Sequence, residues 1–408
     1  MSTSLLYHGF KIRGYQYVNT RHEQGRVIFT VRAGDGALRC STCGSTRVVR
    51  RGTYPRRYRC LPIGRRCVQI RLDVPRVGCM DCGAVRQVRV EFAEERRSYT
   101  KAFERHVLEL SRHMTIQAVA RHLQVSWDVV KDIQKRYLGR KFGRVPLKHV
   151  RQIAIDEIAI GRGHRYLTVA LDLESGAVVF VGDGKGGDAL KPFWKRLKAA
   201  HAQVQAVAMD MSPAYISAVL EHLPDAAIVF DHFHVLKLFN DKLSDLRRNL
   251  YREATEKLHK DVLKGTRWLL LKNPANLDDA LGETRRLHEA LKLNQPLATA
   301  YYMKDDLRRI WEQPDKTAAK RVLDAWVMRA QRSGIAMLMK FSNLVAGHRN
   351  RILAYYDYPI STGPLEGTNT KIRVMQRQAY GFRDTQFFKL KIYALHESSL
   401  ELIGGAFN

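Results

Sequence analysis

Residues 151–184 read RQIAIDEIAIGRGHRYLTVALDLESGAVVFVGDG, which is three apolar runs separated by turn residues. Short runs rich in Val, Ile and Leu and bounded by Gly, Asp and Ser predict buried β-strands. A helix is predicted at about 188–201, followed by a strand at 204–210 (VQAVAMD), a helix at 212–223 and a strand at 226–235 (AAIVFDHFHV). This alternation of strands and helices predicts an α/β core.

The sequence on either side of this core predicts further domains. About 120 residues of amphipathic helix follow the last strand, and residues 140–149 (RKFGRVPLKH) are basic and broken by Gly and Pro, as in a linker. The predicted organisation is N-terminal strands and a cysteine-rich ribbon at 1–95, a helix-turn-helix at 96–139, a basic linker at 140–150, the first part of the core at 151–235, an all-α segment at 236–355 and the last part of the core at 356–408.

Composition excludes several classes of protein. The 408 residues are 45% hydrophobic, which is enough to build a core and excludes wholesale disorder. The net charge is +29, and residues 1–150 hold 31 of the 69 Lys and Arg but 11 of the 40 Asp and Glu, which predicts an N-terminal part that binds nucleic acid. No stretch approaches the roughly 20 apolar residues of a membrane span, and no signal-peptide pattern is present, so we expect a cytoplasmic protein without membrane partners.

The cysteines predict a metal site. Two Cys-x-x-Cys-Gly turns, CSTCG and CMDCG, are separated by 35 residues. Such turns supply the four thiolates that tetrahedral zinc prefers, so one structural Zn²⁺ is expected in a zinc ribbon, held by Cys40, Cys43, Cys79 and Cys82. Cys60 and Cys67 lie in the predicted hairpin between the turns and are expected to be unpaired and structural. The alternative is that all six are ordinary buried thiols.

Residues 104–138 predict a helix-turn-helix. The second helix is TIQAVARHL (115–123), a turn follows at QVS, and Ser126 is placed to cap the third helix. That helix would lie in the major groove of double-stranded DNA and present Trp127, Lys131 and Lys135 to it. A plain helical hairpin is the alternative.

Two further groups of basic residues predict phosphate contacts. The first group lies in the cysteine-rich module and consists of Arg56, Arg57, Arg59, Arg65 and Arg66. The second group follows Glu366 on or near one helix and consists of Lys371, Arg373 and Arg377. A solvated basic face is the alternative for both groups.

Three acidic residues predict a second metal site. Asp156 and Asp210 each follow an apolar run, and Glu366 lies at the expected start of a helix. Carboxylates converging from two strands and a helix can hold two Mg²⁺ (or Mn²⁺) ions for cleavage of a phosphodiester. Asp156 could instead be a strand-end cap with Glu157 as the functional acid, Asp210 could cap a helix, and Glu366 could interact with a helix dipole. The order of strands and helices around them is that of a ribonuclease-H-like domain.

These blocks, in this order, resemble the bacterial insertion-sequence transposases, and most of all the ISL3 group of the DDE type. The blocks are the two cysteine turns, the helix-turn-helix, AIDEIAIGRGHRYLTVALDLESG, AMDMSPAYISAV, FDHFHVLKL and STGPLEGTNTKIRVMQRQAYGFRD. The resemblance implies that Asp156, Asp210 and Glu366 are the catalytic triad and that 236–355 is an all-α insertion in the ribonuclease-H-like core. It also matches an Asp-x-x-His pattern to Asp231 and His234, expected to support the metal site or handle DNA, although a hydrogen-bonded core histidine is an equal alternative for His234.

The resulting expectation is a DNA transposase that binds the terminal inverted repeats of its element and performs metal-dependent cleavage and strand transfer. Two ends must be held together, so at least a homodimer is expected, and no nucleotide cofactor is expected because GDGKGGD (182–188) lacks the phosphate-loop order. The alternatives are a zinc and helix-turn-helix repressor without catalysis, and a structure-specific nuclease on the same fold.

Overall fold

The computed structural model describes residues 5–161, 163–255, 263–264 and 266–396. The described residues divide into two compact units. The first runs up to Gly143 and includes Gln378–Gly381, and the second comprises Arg144–Arg377 and Phe382–His396. No helix in the described part of the chain is long and apolar enough to cross a membrane.

A five-stranded sheet forms the body of the first unit. After the short helix α1 (Leu5–His8) come β1 (Tyr15–Glu23), β2 (Arg26–Ala33), β3 (Val48–Ile63), β4 (Arg66–Cys79) and β5 (Val85–Gln87). The strand order is β1-β2-β4-β3, with β5 also paired to β4. The β3–β4 hairpin is the insertion predicted between the two cysteine turns, and it closes on Gly64, whose φ of +58° suits a tight hairpin turn. Cys60 and Cys67 lie in this hairpin as free, buried thiols.

Three helices follow in the first unit, as the sequence predicted. They are α2 (Lys101–Leu110), α3 (Ile116–Leu123) and α4 (Trp127–Phe142). Each begins at a hydroxyl side chain that accepts a hydrogen bond from the backbone amide three residues later, and these capping residues are Thr100, Thr115 and Ser126. Gln124 adopts a left-handed conformation (φ +52°) and ends α3, so the turn before α4 is set by local chemistry.

The second unit is built on another five-stranded sheet. Its strands are β6 (Gln152–Gly161), β7 (Arg165–Asp172), β8 (Val178–Asp183), β9 (Ala206–Met209) and β10 (Ala227–Phe230), and the intervening helices are α5 (Gly187–Ala199) and α6 (Pro213–His222). The strand order is β10-β9-β6-β7-β8. The β6–β7 and β7–β8 pairs are antiparallel, whereas β9 pairs in parallel with β6 and β10 pairs in parallel with β9.

The predicted strand at 226–235 is too long. β10 ends at Phe230, and helix α7 (His232–Glu253) begins within the predicted strand. The reason is that the carboxylate of Asp231 accepts a hydrogen bond from the amide of Phe233 at 2.7 Å and caps the helix. The first helix of the predicted all-α segment therefore starts before residue 236.

The described residues between β10 and the last two helices contain helices and no strand. After α7 come α8 (Arg267–Leu271), α9 (Glu283–Leu293), α10 (Gln295–Arg308), α11 (Lys316–Arg332), α12 (Ala336–Gly347) and α13 (Arg349–Leu353). Trp326 is fully buried among these helices, and its indole N–H donates to the carbonyl of Met303 at 2.8 Å. The last helices, α14 (Gly363–Gln378) and α15 (Thr385–Tyr393), supply apolar residues to one face of the second sheet.

Candidate active site and nucleic-acid interface

The register of the second sheet brings two of the predicted acids together. In the parallel pairing of β6 with β9, Ala154 lies opposite Ala208. Asp156 and Asp210 each come two residues further along, at the point where β9 has ended and β6 continues. Adjacent strands lie about 4.8 Å apart, so the two carboxylates lie side by side at the C-terminal end of β9.

Glu366 reaches the same region from the first turn of α14. Burial raises the pKa of Asp156, and the negative charges of Asp210 and Glu366 raise it further, while the amide of Glu157 and the nearby His234 oppose the shift. The three predicted acids and His234 therefore share one electrostatic neighbourhood. Among the described residues, one group of three or more potential metal ligands has all its ligand atoms within 4.8 Å of one another, and that group is the four cysteines. The carboxylate oxygens of the three acids are more widely spaced than this.

The neighbouring carboxylate, Glu157, has a different environment. Successive side chains of a strand point to opposite faces, so Glu157 points away from Asp156. Its Oε2 accepts a hydrogen bond from the hydroxyl of Tyr215 at 3.3 Å. Tyr215 is buried and also contacts the hydroxyl of Thr168 at 3.1 Å, so Glu157 belongs to a polar network inside the unit.

Asp210 combines a local role with an available oxygen. Its Oδ1 accepts a hydrogen bond from the amide of Ser212 at 2.9 Å, just before α6. Asp210 therefore shapes the turn before α6 but does not cap the helix, because the residue at the N-cap position is Ser212. Oδ1 is used in this turn, and the second carboxylate oxygen accepts no hydrogen bond from the described residues.

Asp231 joins the end of β10 to the start of α14. Its buried carboxylate accepts hydrogen bonds from the amide (2.6 Å) and hydroxyl (2.9 Å) of Thr362, 131 residues later in the chain. The carbonyl of Thr362 in turn accepts from the amide of Glu366 at 2.9 Å. His234 lies one turn into α7, with its Nδ1 3.4 Å from the Thr362 hydroxyl. Asp231 thus fixes the helix turn that carries Glu366.

Two residues of this site were missed by the sequence analysis. Thr362 is the partner of Asp231, and Asn369 donates from its Nδ2 to Oδ2 of Asp156 at 2.8 Å. Asn369 could have been found, because it lies three residues after Glu366 in PLEGTNT and so near the same face of the helix. Thr362 gave no such signal, since its contact is made across the whole all-α segment.

The basic residues of α14 lie on its exposed side. Lys371, Arg373 and Arg377 are all exposed, whereas Leu365, Thr368, Asn369 and Ile372 are buried. Glu366, Arg373 and Arg377 are spaced by seven and four residues and therefore share one face of the helix. A polyanion bound along this face would run past the carboxylates.

The four cysteines of the two predicted turns meet in the first unit. The Sγ atoms of Cys40 and Cys82 are 3.6 Å apart, and those of Cys43 and Cys79 are 3.5 Å apart. Four sulfurs arranged tetrahedrally about 2.3 Å from a metal would be separated by about 3.8 Å, so the spacing fits one ion. The amides of Cys43 and Thr42 lower the pKa of Cys40 to about 6, whereas the sulfurs of Cys79 and Cys82 raise the pKa of Cys43 against the opposing amide of Ser45.

The predicted recognition helix α4 presents its basic and aromatic residues outward. Ser126 caps the helix as predicted, because its Oγ accepts from the amide of Val129 at 3.3 Å. Trp127 is 42% exposed, and the ammonium of Lys131 lies 5.3 Å from its ring centre. Lys135 is partly exposed one turn further on.

The predicted phosphate-binding arginines of the hairpin differ in exposure. Arg57, Arg65 and Arg66 are exposed, and Arg56 is partly buried. Arg59 points inward: its guanidinium donates to the carbonyl of Leu123 at 2.7 Å and lies 5.8 Å from the ring centre of Phe103. It therefore links β3 to the C-terminal end of α3.

Replacing Arg59 with Ala should loosen the three-helix part of the first unit. The change removes a charged hydrogen bond to the α3 carbonyl, for which a loss of about 1.5–3 kcal/mol is typical. Hydrogen–deuterium exchange of the α2 and α3 amides should rise in Arg59→Ala. The control is Arg57→Ala, an exposed arginine of the same strand, which should leave exchange unchanged and weaken DNA binding. Equal exchange in the two variants would contradict this role for Arg59.

Comparison with known proteins follows the same division of the chain. Residues 153–392 match a family described as transposase, of the ISL3 type. Residues 88–138 match the helix-turn-helix domain of transposase family ISL3. The first match spans the residues from Asp156 to Glu366, and the second includes the recognition helix as far as Leu138.

Individual relatives cover nearly the whole chain. The transposase for insertion sequence element IS1001 of Bordetella parapertussis is 32% identical over 95% of this chain and 96% of its own length. The transposase for insertion sequence element IS1557 of Mycobacterium tuberculosis is 31% identical over 88% of this chain and 86% of its own length. Among solved structures, the Drosophila P element transposase strand transfer complex is 12% identical with a TM-score of 0.40, covering 73% of this chain and 92% of that chain.

Proposed function

The chain belongs to the ISL3 family of transposases, and we propose that it moves an insertion sequence by cutting and joining DNA. In this proposal the first unit binds the terminal inverted repeats of the element. The second unit cuts at the element ends and joins each freed 3′ hydroxyl to target DNA. The observation that carries the proposal is the common neighbourhood of Asp156, Asp210 and Glu366 within the segment that matches the family.

The second unit is proposed to be a ribonuclease-H-like core. Support comes from its sheet, in which three antiparallel strands, β6, β7 and β8, are followed by two strands parallel to β6. Helices α7 to α13 would then be an insertion between the second aspartate strand and the glutamate helix. Asp231 supports this reading, because its bonds to Thr362 join the two ends of that insertion.

The three carboxylates are suited to holding divalent cations. Their donor set is all oxygen, which Mg²⁺ and Mn²⁺ prefer, and the mutual repulsion of the acids is relieved when a cation is bound. Two such ions, when bound, would activate the attacking hydroxyl and stabilise the leaving oxygen of a phosphodiester. Asp156, Asp210 and Glu366 are proposed as the ligands, with Asp231 and His234 supporting them or contacting DNA.

The remaining residues of the site would orient DNA. Lys371, Arg373 and Arg377 on the exposed face of α14 would contact phosphates beside the carboxylates. Water would attack the phosphodiester at the element end and release a 3′ hydroxyl. That hydroxyl would then attack a target phosphodiester by the same in-line displacement, so no bond between protein and DNA forms.

The first unit is proposed to recognise the element ends. The four-cysteine cluster fits one structural Zn²⁺, and α4 would enter the major groove with Ser126, Trp127, Lys131 and Lys135. Arg56, Arg57, Arg65 and Arg66 of the β3–β4 hairpin are proposed to add phosphate contacts, whereas Arg59, which was also predicted to do so, is engaged with the carbonyl of Leu123. Because two ends react together, at least a homodimer would assemble on the DNA, and the proposed working place is the bacterial nucleoid.

The proposal is tested with the purified protein, Mg²⁺ and labelled DNA ending in the inverted repeats of its own element. We expect specific binding to these ends, magnesium-dependent cleavage at the repeat, and joining to a target plasmid. Binding without cleavage would instead indicate a repressor. Cleavage of four-way junctions in preference to element ends would indicate a structure-specific nuclease.

A further inference from the structure

Asn369 is buried in the candidate active site and contacts Asp156 directly. It lies on α14, is 4% exposed, and donates from Nδ2 to Oδ2 of Asp156 at 2.8 Å. The other carboxylate oxygen of Asp156, Oδ1, accepts from the amide of Glu157 at 2.8 Å. Each oxygen of Asp156 thus has one donor, and the two donors together fix the orientation of the carboxylate.

The second polar atom of Asn369 has no such partner. Because an ionised carboxylate accepts but does not donate, the amide nitrogen must face Asp156. The carbonyl oxygen, Oδ1, is then buried and has no hydrogen-bond partner among the described residues. Buried acceptors without a partner are rare in native proteins, and an ordered water, an ion or a catalytic role is the usual explanation.

The position of Asn369 suggests that the partner of its Oδ1 belongs to the candidate active site. Asn369 lies one turn after Glu366, and its Nδ2 contacts the carboxylate of Asp156. On the buried side of the same helix, Leu365 and Ile372 are apolar, and the hydroxyl of Thr368 donates to the carbonyl of Pro364 at 2.9 Å. Burying the amide oxygen of Asn369 without a hydrogen bond costs free energy of folding, which would serve no purpose if the oxygen had no function.

We propose that Asn369 is a positioning residue of the divalent-cation site. Its Nδ2 holds Asp156 in the orientation that binds the cation, and its Oδ1 is an additional oxygen donor for that cation or for water bound to it. The inference rests on the proposed function, since it assumes that Asp156, Asp210 and Glu366 hold divalent ions.

The test measures Mn²⁺ affinity of the full-length, zinc-loaded protein by electron paramagnetic resonance, independently of cleavage. Asn369→Leu keeps the volume of the side chain and removes both polar atoms. We expect its Mn²⁺ affinity to fall about 10–100-fold, as is typical when a residue supporting a metal ligand is lost. Its unfolding midpoint should change little, because the loss of the hydrogen bond to Asp156 and the removal of an unsatisfied buried acceptor have opposite effects on stability.

Two further variants make the result interpretable. Thr370→Ala is the matched control, since its hydroxyl contacts only the helix carbonyl of Glu366 among the described residues, and its Mn²⁺ affinity should equal that of the wild type. Asp156→Ala should lose Mn²⁺ binding. High Mg²⁺ should restore cleavage by Asn369→Leu but not by Asp156→Ala.

Two results would overturn the inference. If Asn369→Leu and Asn369→Ala bind Mn²⁺ as tightly as the wild type while Asp156→Ala does not, Asn369 has only a packing role and the proposed function stands. If Asp156→Ala also binds Mn²⁺ normally, the proposed cation site is wrong and the role of Asn369 is lost with it.

Discussion

Asp156→Ala, Asp210→Ala and Glu366→Ala should each abolish cleavage of element-end DNA while leaving end binding intact. Loss of one ligand removes several kcal/mol of transition-state stabilisation by the cations, which corresponds to a rate loss of about 10³-fold or more. Binding should persist because the proposed end-recognition residues lie in the first unit. The measurement is single-turnover cleavage and joining of labelled ends, with gel-shift affinity on the same DNA.

The matched control for these variants is Glu174→Ala. Glu174 is an exposed acid in the turn after β7, and this turn lies beyond the N-terminal end of β6. It should cleave and join at the wild-type rate. Purified Asp210→Ala that still cuts and joins labelled ends would show that the triad is wrongly assigned.

Loss of the cysteine cluster should abolish end binding. In Cys79→Ser, one of the four sulfurs that join the base of β3 to the end of β4 is removed. Structural zinc typically contributes about 10–16 kcal/mol at neutral pH, which is comparable to or larger than the whole stability of a domain. We expect zinc content to fall below one per chain, proteolysis of the first unit to accelerate, and gel-shift affinity for the ends to disappear.

Cys67→Ala is the control for the cluster. Cys67 is buried in the same hairpin but is not among the four clustered sulfurs. Its zinc content and end binding should match the wild type, with a small loss of stability from the smaller side chain. Tight end binding by a zinc-free Cys79→Ser protein would contradict a structural metal.

Local sequence patterns were sufficient for most secondary structure and for the cysteine cluster. The helices of the helix-turn-helix were predictable because Thr100, Thr115 and Ser126 cap them through bonds to residues three positions away. The Cys-x-x-Cys-Gly turns likewise carry their chemistry within five residues. The strand at 226–235 was misjudged because the apolar pattern continues through a residue, Asp231, that starts a helix.

The sequence by itself determined which acids, cysteines and basic residues were available and on which type of element each lies. Only the tertiary structure decided that Asp156 faces Asp210 and Glu366 while Glu157 faces Tyr215, and that Thr362 and Asn369 hold the acids in place. The physical reason is distance along the chain. Periodicity and caps report interactions over a few residues. The pairs named here are separated by 54 positions (Asp156 and Asp210) to 213 positions (Asp156 and Asn369), and they meet through sheet register and helix packing.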